Sequence, residues 1–178
     1  KKQVGTGFNV TMTTSTGRAL DAASALLGLC RERTYDGEPA MKLEAAAAAG
    51  TAETWGLPIA REGEEETLST RALVEMAFAR IVEAAPGDRQ EICDIAASFQ
   101  YNLARGIAQM AIHAAERDGH KKIALSGGVA YNRAIRETIR REVITRGFSC
   151  IINNEYPLGD GCVSYGQCVY AGAVLKAR

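Results

Sequence analysis

Apolar positions along the chain change their period once, near residue 120. Before it they recur at intervals of three and four, as on the buried face of a helix. The first such stretch carries Leu20, Ala23, Leu26 and Leu27, begins at a Ser15 or Thr16 cap and fades near Cys30. A polar loop, 31–36, ends at Gly37. Pro39 suits the first turn of a second helix, which runs through Leu43 and the alanines 45–49 to Gly50. Ser69 caps a third helix through Ala85, closed by Pro86 and Gly87. Asp88 starts the longest helix. Its line of Ile92, Ile95, Phe99, Leu103, Ile107, Met110 and Ala114 defines one buried face, and Gly119 ends it. Two stretches lack the period. Residues 1–14, rich in Gly, Thr and Asn, read as an extended lead-in. Residues 51–66, with Gly56, Pro58, Gly63 and the acids Glu64 to Glu66, read as a loop or small insertion whose acidic triplet is solvated.

Beyond residue 120 short apolar runs take over. A strand at 122–126 precedes a helix at about 131–145 stopped by Gly147, then a strand at 148–152 and a last helix from about Cys162 to Lys176. Strand, helix and strand in this order make a parallel pair with a right-handed crossover. Two strands are too small a sheet to stand alone, so further strands are expected in another segment. The fold class is α/β, helix-rich, with a partial parallel sheet.

Composition narrows the partners. The 178 residues fit one domain, and 21 Lys+Arg against 21 Asp+Glu leave no net field to attract nucleic acid or a membrane surface. No apolar run is long enough to span a bilayer. The start, Lys1-Lys2-Gln3-Val4-Gly5, has neither a signal-peptide core nor an initiator Met, so a fragment of a longer chain is expected. Five cysteines, none in C-x-x-C spacing, fit free thiols in a reducing cytoplasm. The two histidines match no familiar ligand spacing; His113 is expected to pack or cap and His120 to sit in a turn.

Chemistry concentrates in the turns. Leu125-Ser126-Gly127-Gly128-Val129-Ala130-Tyr131-Asn132 follows a strand and precedes a helix. Two glycines let the backbone approach an anion, and N–H groups at the helix start point at it. Gly-Gly can equally serve turn geometry alone. Asp21 lies among alanines and leucines and needs a partner, either a ribose hydroxyl or Arg18 one turn earlier. Tyr35-Asp36-Gly37-Glu38-Pro39 is a turn before a helix. Pro157-Leu158-Gly159-Asp160-Gly161 follows the second strand, on the same sheet edge as the glycine turn, where ligands of open α/β sheets bind. Its carboxylate suits a hard cation, or simply an Asp-Gly turn.

In order, these motifs are Gly-Arg-x-x-Asp-Ala, Tyr-Asp-Gly-Glu, Leu-Ser-Gly-Gly-Val-x-x-Asn and Gly-Asp-Gly-Cys-Val-Ser-Tyr-Gly-Gln. Together they resemble the C-terminal part of the HypF carbamoyltransferases of NiFe-hydrogenase maturation, over almost the whole chain. The resemblance implies the second lobe of an actin/Hsp70-like (ribonuclease H-like) ATPase domain. It implies Asp21 and Gly37 beside the nucleoside, Asp21 as acceptor of ribose hydroxyls. It implies Gly127 and Gly128 as the phosphate turn, Asn132 as a polar contact to the nucleotide, and Asp160 as one ligand of a divalent metal, zinc, iron or magnesium. Lys42 stands near a place where the related tRNA enzymes carry an acid, so that ribose contact has no counterpart at Lys42.

The resemblance further implies a parent reaction. Carbamoyl phosphate and ATP give carbamoyl adenylate, and the C-terminal cysteine of a HypE-like acceptor takes the carbamoyl group. No nucleophile is expected in this chain. The family's His-x-x-x-His metal pair and its other domains are absent from the sequence, so the isolated chain is expected to be inactive. Two alternatives stay open: an enzyme like the tRNA threonylcarbamoyladenosine synthases, and a non-catalytic actin-like nucleotide-binding module. The former show Gly-Glu-Ala-Phe-Asp and Thr-Asp-Asn-Gly-Ala where this chain has Gly17-Arg18-Ala19-Leu20-Asp21 and Gly159-Asp160-Gly161-Cys162-Val163.

Overall fold

In the computed structural model the chain is built around one 29-residue helix. Residues 2–8, 10–11, 13–85 and 87–176 are described. The elements in order are α1 (Lys2–Thr6), α2 (Thr16–Leu26), α3 (Glu38–Ala47), β1 (Ile59–Glu62), β2 (Glu65–Leu68), α4 (Thr70–Glu83), α5 (Arg89–Arg117), β3 (Lys122–Leu125), α6 (Arg133–Thr145), β4 (Ser149–Ile152) and α7 (Val163–Lys176). Short 3₁₀ turns cover Gly128–Tyr131 and Asp160–Cys162. Strands β3 and β4 pair in parallel, Lys122 opposite Ser149 and Leu125 opposite Ile152.

Capping explains several boundaries. The Ser69 hydroxyl accepts from the Ala72 N–H, and Asp88 accepts from Gln90 and Glu91, each satisfying orphan donors of a first turn. Ser15 occupies the cap position of α2, but its side chain makes no capping bond. The Pro86 half of the expected stop after α4, and positions 1, 9 and 12 of the expected lead-in, lie outside the described residues.

Three expectations change. Residues 2–6 of the lead-in form the short helix α1 rather than extended chain. Residues 59–68 form an antiparallel hairpin, Ile59 opposite Leu68, where loop was expected through 66. Glu66 is not on a solvated face: its carboxylate takes the His113 ring nitrogen at 2.9 and 3.0 Å, fastening the hairpin to α5. The third change concerns α5 itself. The line from Ile92 to Ala114 marks one face, yet Ala96, Ser98, Gln100, Asn102, Ala104, Ala108 and Ala115 are buried as well. Helices α2, α3, α4 and α6 and the hairpin surround it. Small side chains on its other faces let those helices come close. At Gly50, just past α3, a Cβ would fall 2.1 Å from the Cys93 carbonyl oxygen. The long helix is thus covered on several faces by the helices and hairpin around it.

Polar residues spaced four apart on α5 have a defined task. Thr51, Glu53 and Trp55 donate their backbone N–H groups to Asp94, Ser98 and Asn102, at 2.6, 2.9 and 2.8 Å. Two residues of extended chain advance about 6.8 Å and four of helix about 6 Å, so the two repeats match over this length. An irregular segment is thereby satisfied without a strand partner.

Exposed apolar surface lies elsewhere than on α5. On α7, Val163, Tyr165, Val169, Tyr170, Val174 and Leu175 are all exposed, and no residue of that helix is buried. No helix among the described residues is long and apolar enough to cross a membrane.

Candidate functional site

The start of α2, the first half of α3 and the 3₁₀ turn before α6 meet around a cleft of about 440 Å³. Asp21 reaches it from α2, Gly37 from the N-cap of α3, Gly128 and Asn132 from the turn, and Asp160 from the loop after β4. Five of the six residues singled out from the sequence thus share one cavity. The sixth, Gly127, is not among the lining residues. It sits behind the turn, where its N–H donates to the Leu158 carbonyl at 2.7 Å. At φ 101° it holds a conformation that favours glycine.

The glycine turn and the Asp160 loop are fitted closely together. The Ser126 hydroxyl also donates to the Leu158 carbonyl, at 3.2 Å, and the Gly159 N–H donates to the Tyr131 hydroxyl at 3.3 Å. A Cβ on Gly159 would sit 3.1 Å from the Tyr131 ring, so only a hydrogen fits comfortably there. At Gly128 a Cβ meets nothing within 4 Å; that space belongs to the cleft.

The donors available to an anion differ from those read in the sequence. The 3₁₀ turn stands between Gly127 and α6, and two N–H groups in the first turn of α6 are already taken by side chains. The Asn132 amide oxygen accepts from the Ile135 N–H at 3.0 Å, and the Glu44 carboxylate accepts from the Arg133 N–H at 2.8 Å. The Gly128 and Val129 N–H groups, by contrast, have no partner among the described residues. They form the cradle that an anion would use. Asn132 itself is buried, and its amide NH₂ donates to the fully buried Gln100. Gln100 in turn donates to the Leu43 carbonyl at 3.2 Å. Asn132 therefore ties α3, α5 and α6 together as well as lining the cleft.

The cleft is acidic. Asp21, Asp36, Glu44 and Asp160 line it against one cation, Arg18. Arg18 pairs with Asp21 at 3.1 Å and lies 3.9 Å from Asp36. Asp160 is exposed and its carboxylate has no hydrogen-bond or ion-pair partner among the described residues, so its oxygens are open to a cation. No group of three His, Cys, Asp or Glu able to hold a metal occurs among the described residues.

Lys42 does not reach the cleft. It bonds Glu38 at 2.8 Å on the far side of α3. The hydrogen bond from Lys42, and after it that from the Thr34 N–H, holds the Glu38 carboxyl at about 2, well below the usual range, and the same bond raises Lys42 in return. Glu44 and Tyr131 line the cleft without having been singled out as site residues. Glu44 was legible in principle, since Gly37, Ala40, Met41 and Glu44 repeat every three or four residues and share one face of α3. Nothing in the sequence marks Tyr131.

Residues 1–167 match the family of the carbamoyltransferase Kae1-like domain, second subdomain. A probable carbamoyltransferase HypF of Methanocaldococcus jannaschii is 34% identical over 169 residues, covering 95% of this chain and 21% of that protein. A tRNA N6-adenosine threonylcarbamoyltransferase of Agrobacterium fabrum is 32% identical over 150 residues, covering 79% of this chain and 40% of that protein. Among solved structures, T. kodakarensis HypF superposes with a TM-score of 0.85 at 36% identity, over 99% of this chain and 22% of that one. A full-length HypF in the phosphate- and nucleotide-bound form gives 0.84 at 25% identity, over 98% and 22%. The chain spans about a fifth of the length of these HypF proteins.

Proposed function

Because the chain belongs to the family of the second subdomain of Kae1-like carbamoyltransferase domains, we propose that it is the nucleotide-holding lobe of a HypF-type carbamoyltransferase. In this reading the whole protein uses carbamoyl phosphate and ATP to form carbamoyl adenylate. It then transfers the carbamoyl group to the C-terminal cysteine of a HypE-like acceptor, for the cyanide ligand of NiFe-hydrogenase. The lobe has the actin/Hsp70-like fold and works in the cytoplasm beside the remaining HypF domains.

One observation carries the proposal. Four separate stretches of sequence deliver Asp21, Gly37, Gly128, Asn132 and Asp160 to a single cleft. The free Gly128 and Val129 N–H groups suit the adenylate phosphate, and Gly128 leaves room for it. Asp21, held by Arg18, faces the sugar. An anion entering a cleft with four carboxylates and one guanidinium needs a cation beside it. Asp160 fits one ligand of a divalent ion, with the other ligands outside this chain. When bound, that ion would neutralise phosphate charge. The chain's own residues bind and orient; the thiolate of the acceptor attacks the carbamoyl carbon, and AMP leaves. The match to a tRNA threonylcarbamoyltransferase supports carbamoyl-type transfer in general, and the superposition of 98–99% of this chain on HypF structures supports the HypF type.

The test is Gly128→Val in the full-length protein. A Cβ there meets open space, so the fold should persist while ATP binding, read by calorimetry, is lost. Unchanged ATP affinity would overturn the assignment of the turn.

A further inference from the structure

Glu38 is a buried carboxylate that the cleft does not use directly. Its side chain turns back under the loop between α2 and α3. It accepts from both the N–H and the hydroxyl of Thr34 and from Lys42. Lys42 reaches on to the Cys30 sulfur at 3.8 Å. Cys30, also buried, donates its thiol to the Glu32 carbonyl at 3.2 Å. One carboxylate thereby gathers the loop's beginning, through Lys42 and Cys30, and its end, through Thr34. The loop's last residues are Asp36 and Gly37, both of which line the cleft. Gly37 holds φ at 83°, a soft joint at which the loop could otherwise swing away from α3. Asp36 is exposed and, among the described residues, paired with Arg33 and Arg18 alone, so it adds little restraint of its own.

We propose that Glu38 is a positioning residue for the cleft: with Thr34, Lys42 and Cys30 it straps the 30–37 loop so that Asp36 and Gly37 form a preset wall for the nucleoside end of the ligand. The proposal rests on the nucleotide reading above. A strapped wall means that the binding-competent arrangement is already populated before ligand arrives. A released wall lowers the apparent affinity by the fraction of molecules in which it is out of place. The strap also buries Cys30, so loop opening has its own reporter in the reactivity of that thiol.

The experiment uses the full-length protein that contains this chain, with Glu38→Ala, Glu38→Gln and Thr34→Val variants. Mg-ATP affinity is measured by calorimetry. Alkylation of Cys30 by iodoacetamide is followed by peptide mass spectrometry, with and without Mg-ATP. In the unsubstituted protein Cys30 should label slowly, and Mg-ATP should slow it further. Glu38→Ala should label faster and lose about tenfold in affinity, as expected if the competent loop falls to about a tenth of the population. Glu38→Gln keeps acceptor oxygen for Thr34 and should recover part of both effects. If Glu38→Ala does not fold, Thr34→Val decides, since it removes a single donor and should shift both readouts in the same direction. Affinity within twofold of the unsubstituted protein, or Cys30 labelling insensitive to Mg-ATP, would overturn the strap and leave the nucleotide reading standing. Absence of ATP binding in the unsubstituted protein would overturn both.

Discussion

Replacing Asn132 with alanine removes two interactions at once, and their cost can be worked out separately. The Asn132 amide oxygen caps α6 through the Ile135 N–H at 3.0 Å. Loss of such a cap costs about 1 kcal/mol, within a range of about 0.5–2. The Asn132 NH₂ is also the donor to the amide oxygen of Gln100, which is 1% exposed. Alanine leaves that oxygen buried and unpaired, at about 1–3 kcal/mol. The sum is about 2–4 kcal/mol. For a chain of this length each kcal/mol lowers the Tm by about 2–4 °C, so the expected fall is about 5–15 °C. Urea unfolding followed by circular dichroism should show the same loss in the midpoint with an unchanged slope. Asn132→Ser keeps a capping oxygen but not the Gln100 bond, and should fall between the two. A double-mutant cycle with Gln100→Leu isolates the shared term, because leucine removes the oxygen that alanine would orphan. The double variant should be more stable than the two single losses predict, by about 1 kcal/mol or more. Simple additivity, or an Asn132→Ala cost below about 0.5 kcal/mol, would refute the claim that this buried pair holds α5 and α6 together.

Further outcomes follow from other contacts. Gly50→Ala places a Cβ 2.1 Å from the Cys93 carbonyl oxygen, a clash with backbone that no rotamer relieves, so thermal unfolding should show a loss at or above the usual overpacking range of about 1–3 kcal/mol. The Glu38 carboxyl is depressed in the folded state from 4.5 to about 2, chiefly by Lys42, so its stabilising contribution is present above pH 4.5 and is lost as pH falls toward 2. Glu38→Gln should flatten the Tm–pH curve in that window and leave its slope above pH 5 unchanged. The exposed apolar residues of α7 should make the isolated chain self-associate, seen as a concentration-dependent mass in ultracentrifugation, and Val169→Lys with Leu175→Lys should abolish the association.

Much of the helical frame was legible because its signals are local. The Ser69 and Asp88 caps, Pro39 in the first turn of α3 and the parallel β3–β4 pair all follow from spacing and turn chemistry within a few residues. What was not legible depends on contacts far apart in sequence. Helix α5 reads as one-faced because hydropathy ignores alanine packing and polar residues buried with partners. Ser98 and Asn102 look like solvent residues until the 51–55 segment lies against them. The hairpin at 59–68 was hidden by its four acids, and its anchor, His113, lies 47 residues from Glu66.

The site shows the same division in sharper form. Motif order brought Asp21, Gly37, Gly128, Asn132 and Asp160 into view without any knowledge of the cleft that joins them. The direction of their hydrogen bonds was beyond reach. A strand, two glycines and a helix predict that the helix N-terminus meets the anion. Here Asn132 and Glu44 take up N–H groups of α6 first. Glu44 comes from α3, 89 residues before Arg133, so no reading of the 125–132 stretch could foresee it. The consequence is chemical. With a carboxylate at the helix start, the positive end of the α6 dipole is partly spent inside the protein. In the proposed reading the anion then meets the Gly128 and Val129 amides, which have no competing acceptor among the described residues. That arrangement explains why glycine is required at one position for φ and at the next for space: Gly127 shapes the turn from behind, and Gly128 keeps its front open.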